Sequence, residues 1–122
     1  MKAADPRRRA MVFDALVRAS RDGDAGTPQR WQQLEAAHIV GQKDLALHLR
    51  AHAAMLVLAW QTRDAREVAG QLARLALVAP GHLLGRLPVG NTGRARVSAF
   101  TPMAVDAGTA RCIRAASEAI GG

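Results

Sequence analysis

Apolar residues recur every three or four positions through several stretches of this chain, and that spacing is the strongest constraint on its fold. Side chains at such intervals lie on one face of a helix, so each stretch predicts a helix with one buried side. Asp5-Pro6 and Thr27-Pro28 each place a capping side chain before a proline suited to the first helical turn. We therefore predict an all-α fold: a single-domain bundle of four to five helices over residues 1–122.

Polar and glycine-containing segments set the predicted helix boundaries. We expect helices from Pro6 to the loop at 21–26, from Pro28 to Gly41, from about Asp44 to Gln61, from about Asp64 to Pro80-Gly81, and from about Ala107 to Ile120.

The same spacing predicts which side of each helix faces the core. These inward residues are Val12, Phe13, Leu16, Val17 and Ser20 on the first helix, Trp31, Leu34, Ala37 and His38 on the second, Leu45, His48, Leu49, His52, Met55, Leu56 and Ala59 on the third, and Val68, Leu72, Leu75 and Ala79 on the fourth.

The segment before the last helix has a different character. Residues 81–103 contain four glycines and two prolines and show no helical period. Loops of such length without secondary structure are usually functional or disordered. Because this one also carries several large hydrophobic residues, we predict an ordered loop over 81–106 that packs on the bundle as a lid.

Three of the four histidines and one glutamate lie within "EAAHIVGQKDLALHLRAH", residues 35–52. Glu35 and His38 are three positions apart, and His48 and His52 are four apart, so each pair shares a helix face. Imidazoles one turn apart can converge on a metal ion. Glu-x-x-His is also the inward-facing pair of carboxylate metal proteins built on helical bundles.

Whether these side chains meet depends on the chain direction at Gly41. If the second and third helices fold back on each other there, Glu35 lies about level with His48, and the other two histidines lie about one turn to either side. The fourth helix then returns His82 to the same end. A continuous helix through 28–61 would instead place residues 38 and 52 about 21 Å apart.

The preferred hypothesis is a metal-binding protein with a Glu/His site between helices two and three, covered by the 81–103 loop. Its predicted metal ligands are Glu35, His38, His48, His52 and His82, with His82 as an additional ligand or proton carrier. With only one cysteine in the chain, the ligand set is nitrogen and oxygen, which suits zinc, iron, manganese or copper.

Glu35 and His48 are the predicted catalytic residues if the protein acts on a small-molecule substrate, and enzymatic activity is left open. Without a metal, the same two residues could act as a general acid/base pair.

A second hypothesis concerns the glycine-rich stretch "RLPVGNTGRAR" and the net charge of +7. Arg86, Asn91 and Arg94 are predicted to bind an anionic cofactor, and Arg86, Arg94 and Arg96 an anionic partner, because glycines allow close backbone approach and arginines bind anions. The alternative is a rigid lid without a ligand.

We expect no membrane partner and do not favour nucleic acid as a partner, although a basic chain attracts nucleic acid nonspecifically. Homodimerisation through apolar helix faces is a further alternative, and the expected location is cytoplasmic.

The segments "EAAHIVGQ", "HLRAH", "GRLPVGNTG" and "VSAFTPM" resemble a small bacterial family known as domain of unknown function 3703. The resemblance covers roughly residues 30–104, and "PVGNTG" is its most distinctive part. It implies no activity. It does suggest that the Glu/His cluster and the glycine loop belong to one functional unit.

Overall fold

The computed structural model describes residues 5–85, 93–94 and 104–121. These ranges contain five helices and no strand, so the predicted all-α class is confirmed. None of the helices in the described ranges is both long and apolar enough to cross a membrane. The helices are α1 (Pro6–Ser20), α2 (Thr27–Gly41), α3 (Leu45–Gln61), α4 (Ala65–Leu84) and α5 (Ala107–Ile120).

Aspartate side chains fix the start of four of these helices. Asp5, Asp44, Asp64 and Asp106 each accept a hydrogen bond from a backbone N–H in the first turn. Such caps satisfy donors that have no partner within the helix. The hydrogen bond from the backbone N–H of Thr109 also lowers the pKa of Asp106. α2 starts differently, with Pro28 in its first turn and no side-chain cap.

The apolar core lies mainly between α1, α2 and α3, and α5 packs against α1 and α2. The predicted inward faces of α1 and α2 are confirmed, since every residue expected there is buried. α2 ends at Gly41, and the backbone N–H of Asp44 donates to the Gly41 carbonyl over 2.9 Å. A Cβ at Gly41 would lie 2.7 Å from Leu47 Cβ. Glycine is therefore required where α3 turns back onto α2.

The predicted inward face of α3 is partly wrong. Leu45 and Leu49 are exposed, at 43% and 36%, whereas Leu47, Ala51 and Leu58 are buried. α3 packs against both α2 and α4, so two neighbouring helices together determine its buried side. Spacing along one helix does not contain that information.

The predicted inward face of α4 is wrong. Leu72 is 54% exposed and Ala79 is exposed, while Val68 and Leu75 are only half-buried. The buried residues of α4 are instead Glu67, Gln71, Arg74 and Val78. This mostly polar side is buried because its side chains bond to the histidine cluster and to residues 93–94, as described below.

The predicted end of α4 at Pro80-Gly81 is also wrong, because the helix continues to Leu84. A proline removes one backbone donor, but the residues after Pro80 still close the last turn. Gly85 then ends the helix in the left-handed conformation, with φ +69°. The extension places His82 in the last turn of α4. Of the predicted 81–106 loop, residues 86–92 and 95–103 lie outside the described residues.

Candidate metal centre

Three histidines converge between α2 and α3. His38 lies near the end of α2, His48 and His52 lie in the first half of α3, and all three are buried. The Nε2 atom of His48 lies 3.1 Å from Nε2 of His38 and 3.2 Å from Nε2 of His52. Each ring contributes one nitrogen, and these three nitrogens all lie within 4.8 Å of one another. The predicted reversal after Gly41 is what brings the two helices into this register.

Hydrogen bonding alone satisfies these contacts poorly. A neutral imidazole nitrogen carries either one hydrogen or one in-plane lone pair. Nε2 of His48 can therefore form one good hydrogen bond, with either His38 or His52. The other contact then holds two ring nitrogens 3.1–3.2 Å apart without a hydrogen bond between them.

Burial keeps the imidazoles of His48 and His52 in the neutral form. Loss of hydration, with smaller contributions from the neighbouring His52 and His82, lowers the pKa of His48 to about 4. Loss of hydration also lowers the pKa of His52, and the positive charge of Arg74 acts in the same direction. Neutral imidazole is the form that binds metals, so His48 and His52 are in the protonation state of a ligand at neutral pH.

Gln71 of α4 connects the cluster to the rest of the site. Its Oε1 lies 2.7 Å from Nδ1 of His52, on the side of that ring away from the other two histidines. Its Nε2 donates to Oε2 of Glu67 and to the carbonyl of Gly93, over 3.0 Å in each case. Hydrogen bonds of this kind, from the distal nitrogen of a histidine to an outer acceptor, are typical of metal sites.

Arg94 holds the two nearby carboxylates. Its Nε donates to Oε1 of Glu67 over 2.6 Å, and its Nη1 donates to Oε2 of Glu35 over 3.1 Å. The guanidinium also lies over the ring of Trp31, 3.8 Å from its centroid. Glu35 is thus an ion-pair partner of Arg94, and it is not part of the three-histidine group.

His82 contacts the opposite side of His48. Its Nε2 lies 2.9 Å from Nδ1 of His48, so it bonds to the nitrogen that faces away from the cluster. His82 is half-buried. This position suits the predicted proton carrier better than the predicted ligand.

The glycine-rich stretch reaches the site at Gly93. This residue has φ +82°, and a Cβ on it would lie 2.7 Å from Cδ2 of His38. The close backbone approach predicted for the stretch is therefore present at Gly93. Of the residues predicted to bind an anion, Arg94 is described and bonds to carboxylates, while Arg86, Asn91 and Arg96 lie outside the described residues.

Glu67 and Gln71 were missing from the residues predicted from sequence. Their only signal is a four-residue spacing on one side of α4, directly after the capping Asp64. The leucines of the same helix give a stronger pattern, and that pattern points to a side about 100° further round the helix.

The fold and the site together define an all-α protein with a buried three-histidine cluster that could hold a metal ion. The chain belongs to the family described as "Protein of unknown function (DUF3703)", whose profile matches residues 7–113. The resemblance seen in the sequence is thus confirmed, and the match extends into α1 and α5. No curated protein and no solved structure matches the chain significantly.

Proposed function

We propose that this protein binds one divalent transition metal ion through Nε2 of His38, His48 and His52. The observation that carries the proposal is the convergence of three buried imidazoles, with contacts of 3.1 and 3.2 Å to Nε2 of His48. A cation among the three nitrogens would bind all of them at once, whereas Nε2 of His48 can form a good hydrogen bond with only one of its two neighbours.

The spacing of the nitrogens supports this proposal. With metal–nitrogen distances of 2.0–2.1 Å, ligand atoms lie about 3.3 Å apart in a tetrahedral site and about 2.9 Å apart at the right angles of an octahedral one. The two contacts to Nε2 of His48, at 3.1 and 3.2 Å, fall between these values, and the third pair of nitrogens, from His38 and His52, lies within 4.8 Å. The surrounding charges also permit a cation, because Glu35 and Glu67 together balance Arg74 and Arg94.

Three protein ligands leave a coordination position for water or a small molecule. Such an open position is typical of sites that activate water or polarise a substrate oxygen. The nitrogen ligands suit zinc, iron, manganese or copper alike. We propose a small-molecule substrate at this position, and we retain the cytoplasmic location as a prediction from sequence.

The two other hypotheses have less support. A base with a pKa of about 4, as in His48, is weak at neutral pH, and the carboxylate of Glu35 bonds to Arg94. A metal-free acid/base pair is therefore less well supported than a metal site. The anion-binding hypothesis draws no support from Arg94, whose Nε and Nη1 donate to carboxylates.

Homodimerisation is a separate proposal. It is favoured by the arrangement of α4, in which polar side chains are buried and leucines are exposed. Because the polar side of α4 faces inward, Leu72 lies on the outside, and Trp60 of α3 is 73% exposed. These two residues and Val68 line a mainly apolar groove of about 610 Å³. A second copy of the chain is the partner that we propose for this face.

Metal titration of untagged, chelator-treated protein tests the metal proposal. We expect the wild type to bind one zinc or cobalt ion per chain, measured by elemental analysis and cobalt absorption. His38→Ala, His48→Ala and His52→Ala should each weaken binding beyond the roughly 10–100-fold cost of losing an outer hydrogen-bond partner. His82→Ala removes a histidine outside the cluster and is the matched control, which should retain one ion per chain. A wild type that binds no ion would overturn the proposal.

A further inference from the structure

We infer that Gln71 is a positioning residue that fixes the tautomer of His52, with hydrogen on Nδ1 and the Nε2 lone pair directed into the cluster. The assignment of the tautomer rests on hydrogen bonds alone. Its consequence for metal affinity rests on the proposed function.

The orientation of the Gln71 amide is determined by its two acceptors. Oε2 of Glu67 and the carbonyl oxygen of Gly93 both lie 3.0 Å from the same amide atom. A carboxylate and a carbonyl can only accept, so this atom must be the NH₂ group. The side chain of Gln71 is fully buried, so its partners are other groups of the protein.

The Glu67 acceptor is itself held in place. Arg94 donates to the other oxygen of the Glu67 carboxylate over 2.6 Å. Glu67 is buried, and its backbone N–H bonds to the capping Asp64 over 3.1 Å. If the amide of Gln71 turned over, its oxygen would face Oε2 of Glu67 and the carbonyl oxygen of Gly93 at 3.0 Å, and these acceptors would repel it.

With the NH₂ group committed, Oε1 of Gln71 faces Nδ1 of His52 at 2.7 Å. Two acceptors at that distance would repel each other, so Nδ1 carries the hydrogen. A neutral imidazole has one N–H, and Nε2 of His52 is therefore a bare lone pair, 3.2 Å from Nε2 of His48. Free histidine in water favours hydrogen on Nε2. Gln71 thus holds His52 in the tautomer that a metal requires before any metal binds.

The contact between His48 and His82 does not impose a tautomer in the same way. Both partners at 2.9 Å are imidazoles, and either ring can donate. His48 can adopt either tautomer as the cluster requires, whereas His52 cannot.

Nitrogen-15 NMR of the metal-free protein tests the tautomer directly. Two-bond proton–nitrogen spectra distinguish a protonated Nδ1 from a protonated Nε2, and we expect protonated Nδ1 for His52 in the wild type. In Gln71→Met, which has a side chain of similar length without the acceptor, the hydrogen should move towards Nε2.

Zinc affinity tests the consequence. Gln71→Met should bind zinc about 10–100-fold more weakly. Gln61→Met changes an exposed glutamine at the end of α3 in the same way and should match the wild type. A wild-type His52 protonated on Nε2, or unchanged zinc affinity in Gln71→Met, would overturn the inference. If the wild type binds no zinc but shows protonated Nδ1, the proposed function fails and the tautomer assignment stands.

Discussion

At the scale of single residues, burial lowers the pKa of His48 and keeps its imidazole neutral. The free energy of unfolding should therefore depend on pH. Its pKa falls from 6.5 to about 4, mainly through loss of hydration. Above pH 6.5 both the native and the unfolded states are neutral at this group. Between pH 6.5 and about pH 4 only the unfolded state takes up the proton, so the free energy of unfolding should fall by about 3 kcal/mol across this range.

Urea unfolding of metal-free protein at several pH values measures this effect. A His48→Gln variant lacks the titrating group, so its stability should depend less on pH in the same range. Equal pH dependence in the variant and the wild type would show that His48 does not carry the effect.

Gly93 provides a second residue-scale prediction, because its backbone lies against His38. Gly93→Ala would place a side chain at φ +82°, 2.7 Å from the ring of a proposed ligand. We expect a loss of about 1–3 kcal/mol in the free energy of unfolding, from strain and overpacking, together with weaker zinc binding.

The matched control is Gly85→Ala. Gly85 also has a positive φ, of +69°, but a Cβ on it would meet no atom of the described residues within 4 Å. It should therefore show only the cost of backbone strain and normal zinc affinity. If both variants lose zinc affinity equally, the contact between Gly93 and His38 does not shape the site.

The sequence predicted the three clustered histidines but missed their partners. His38, His48 and His52 could be found because helical spacing and one chain reversal suffice to bring them together. The role of Gln71 could not be predicted, because it depends on the polar side of α4 being buried. The leucines of that helix suggest instead that a neighbouring, apolar side is buried. Glu35 was predicted as a metal ligand because the sequence does not reveal its ion pair with Arg94. Arg94 comes from a segment whose path the sequence does not indicate.

At the scale of helices, the turn from α2 to α3 determines whether the histidines meet. Gly41 ends α2, and a Cβ there would lie 2.7 Å from Leu47 Cβ and 3.0 Å from Phe13 Cδ2. Gly41→Ala should therefore destabilise the protein by about 1–3 kcal/mol. Because Leu47 directly precedes His48, we also expect zinc affinity to fall.

Chemical denaturation and zinc titration of Gly41→Ala check both effects. Gly23→Ala, in the loop before α2, is the control, since a Cβ at Gly23 has no atom within 4 Å. A Gly41→Ala variant as stable as Gly23→Ala would contradict the close packing at this turn.

The start and end of each helix were easier to predict from sequence than the side of the helix that is buried. Capping aspartates and glycines mark most boundaries, so α3 and α5 lie close to where they were expected. The end of α4 was missed because Pro80 lies in the last turns, where the loss of one backbone donor does not stop the helix. The inward sides of α3 and α4 depend on neighbouring helices and on buried ion pairs, which periodicity does not encode.

At the scale of the whole molecule, the exposed apolar side of α3 and α4 predicts self-association. Leu72 and Trp60 are 54% and 73% exposed and line one groove. Burying such a face against a second copy would remove apolar surface from water. We expect the wild type to sediment as a dimer and Leu72→Glu to shift it towards the monomer. Met11→Glu, at another exposed apolar residue on α1, should leave the dimer intact, and a monomeric wild type would contradict the prediction.

The central claim is that His38, His48 and His52 bind one metal ion together. X-ray absorption spectroscopy of the untagged, zinc-loaded protein tests it most directly, because imidazole ligands give characteristic multiple scattering. We predict three imidazole nitrogens at about 2.0–2.1 Å from zinc and two in a His38→Ala variant that still retains metal. A zinc environment without imidazole scattering, or one unchanged by His38→Ala, would contradict the account.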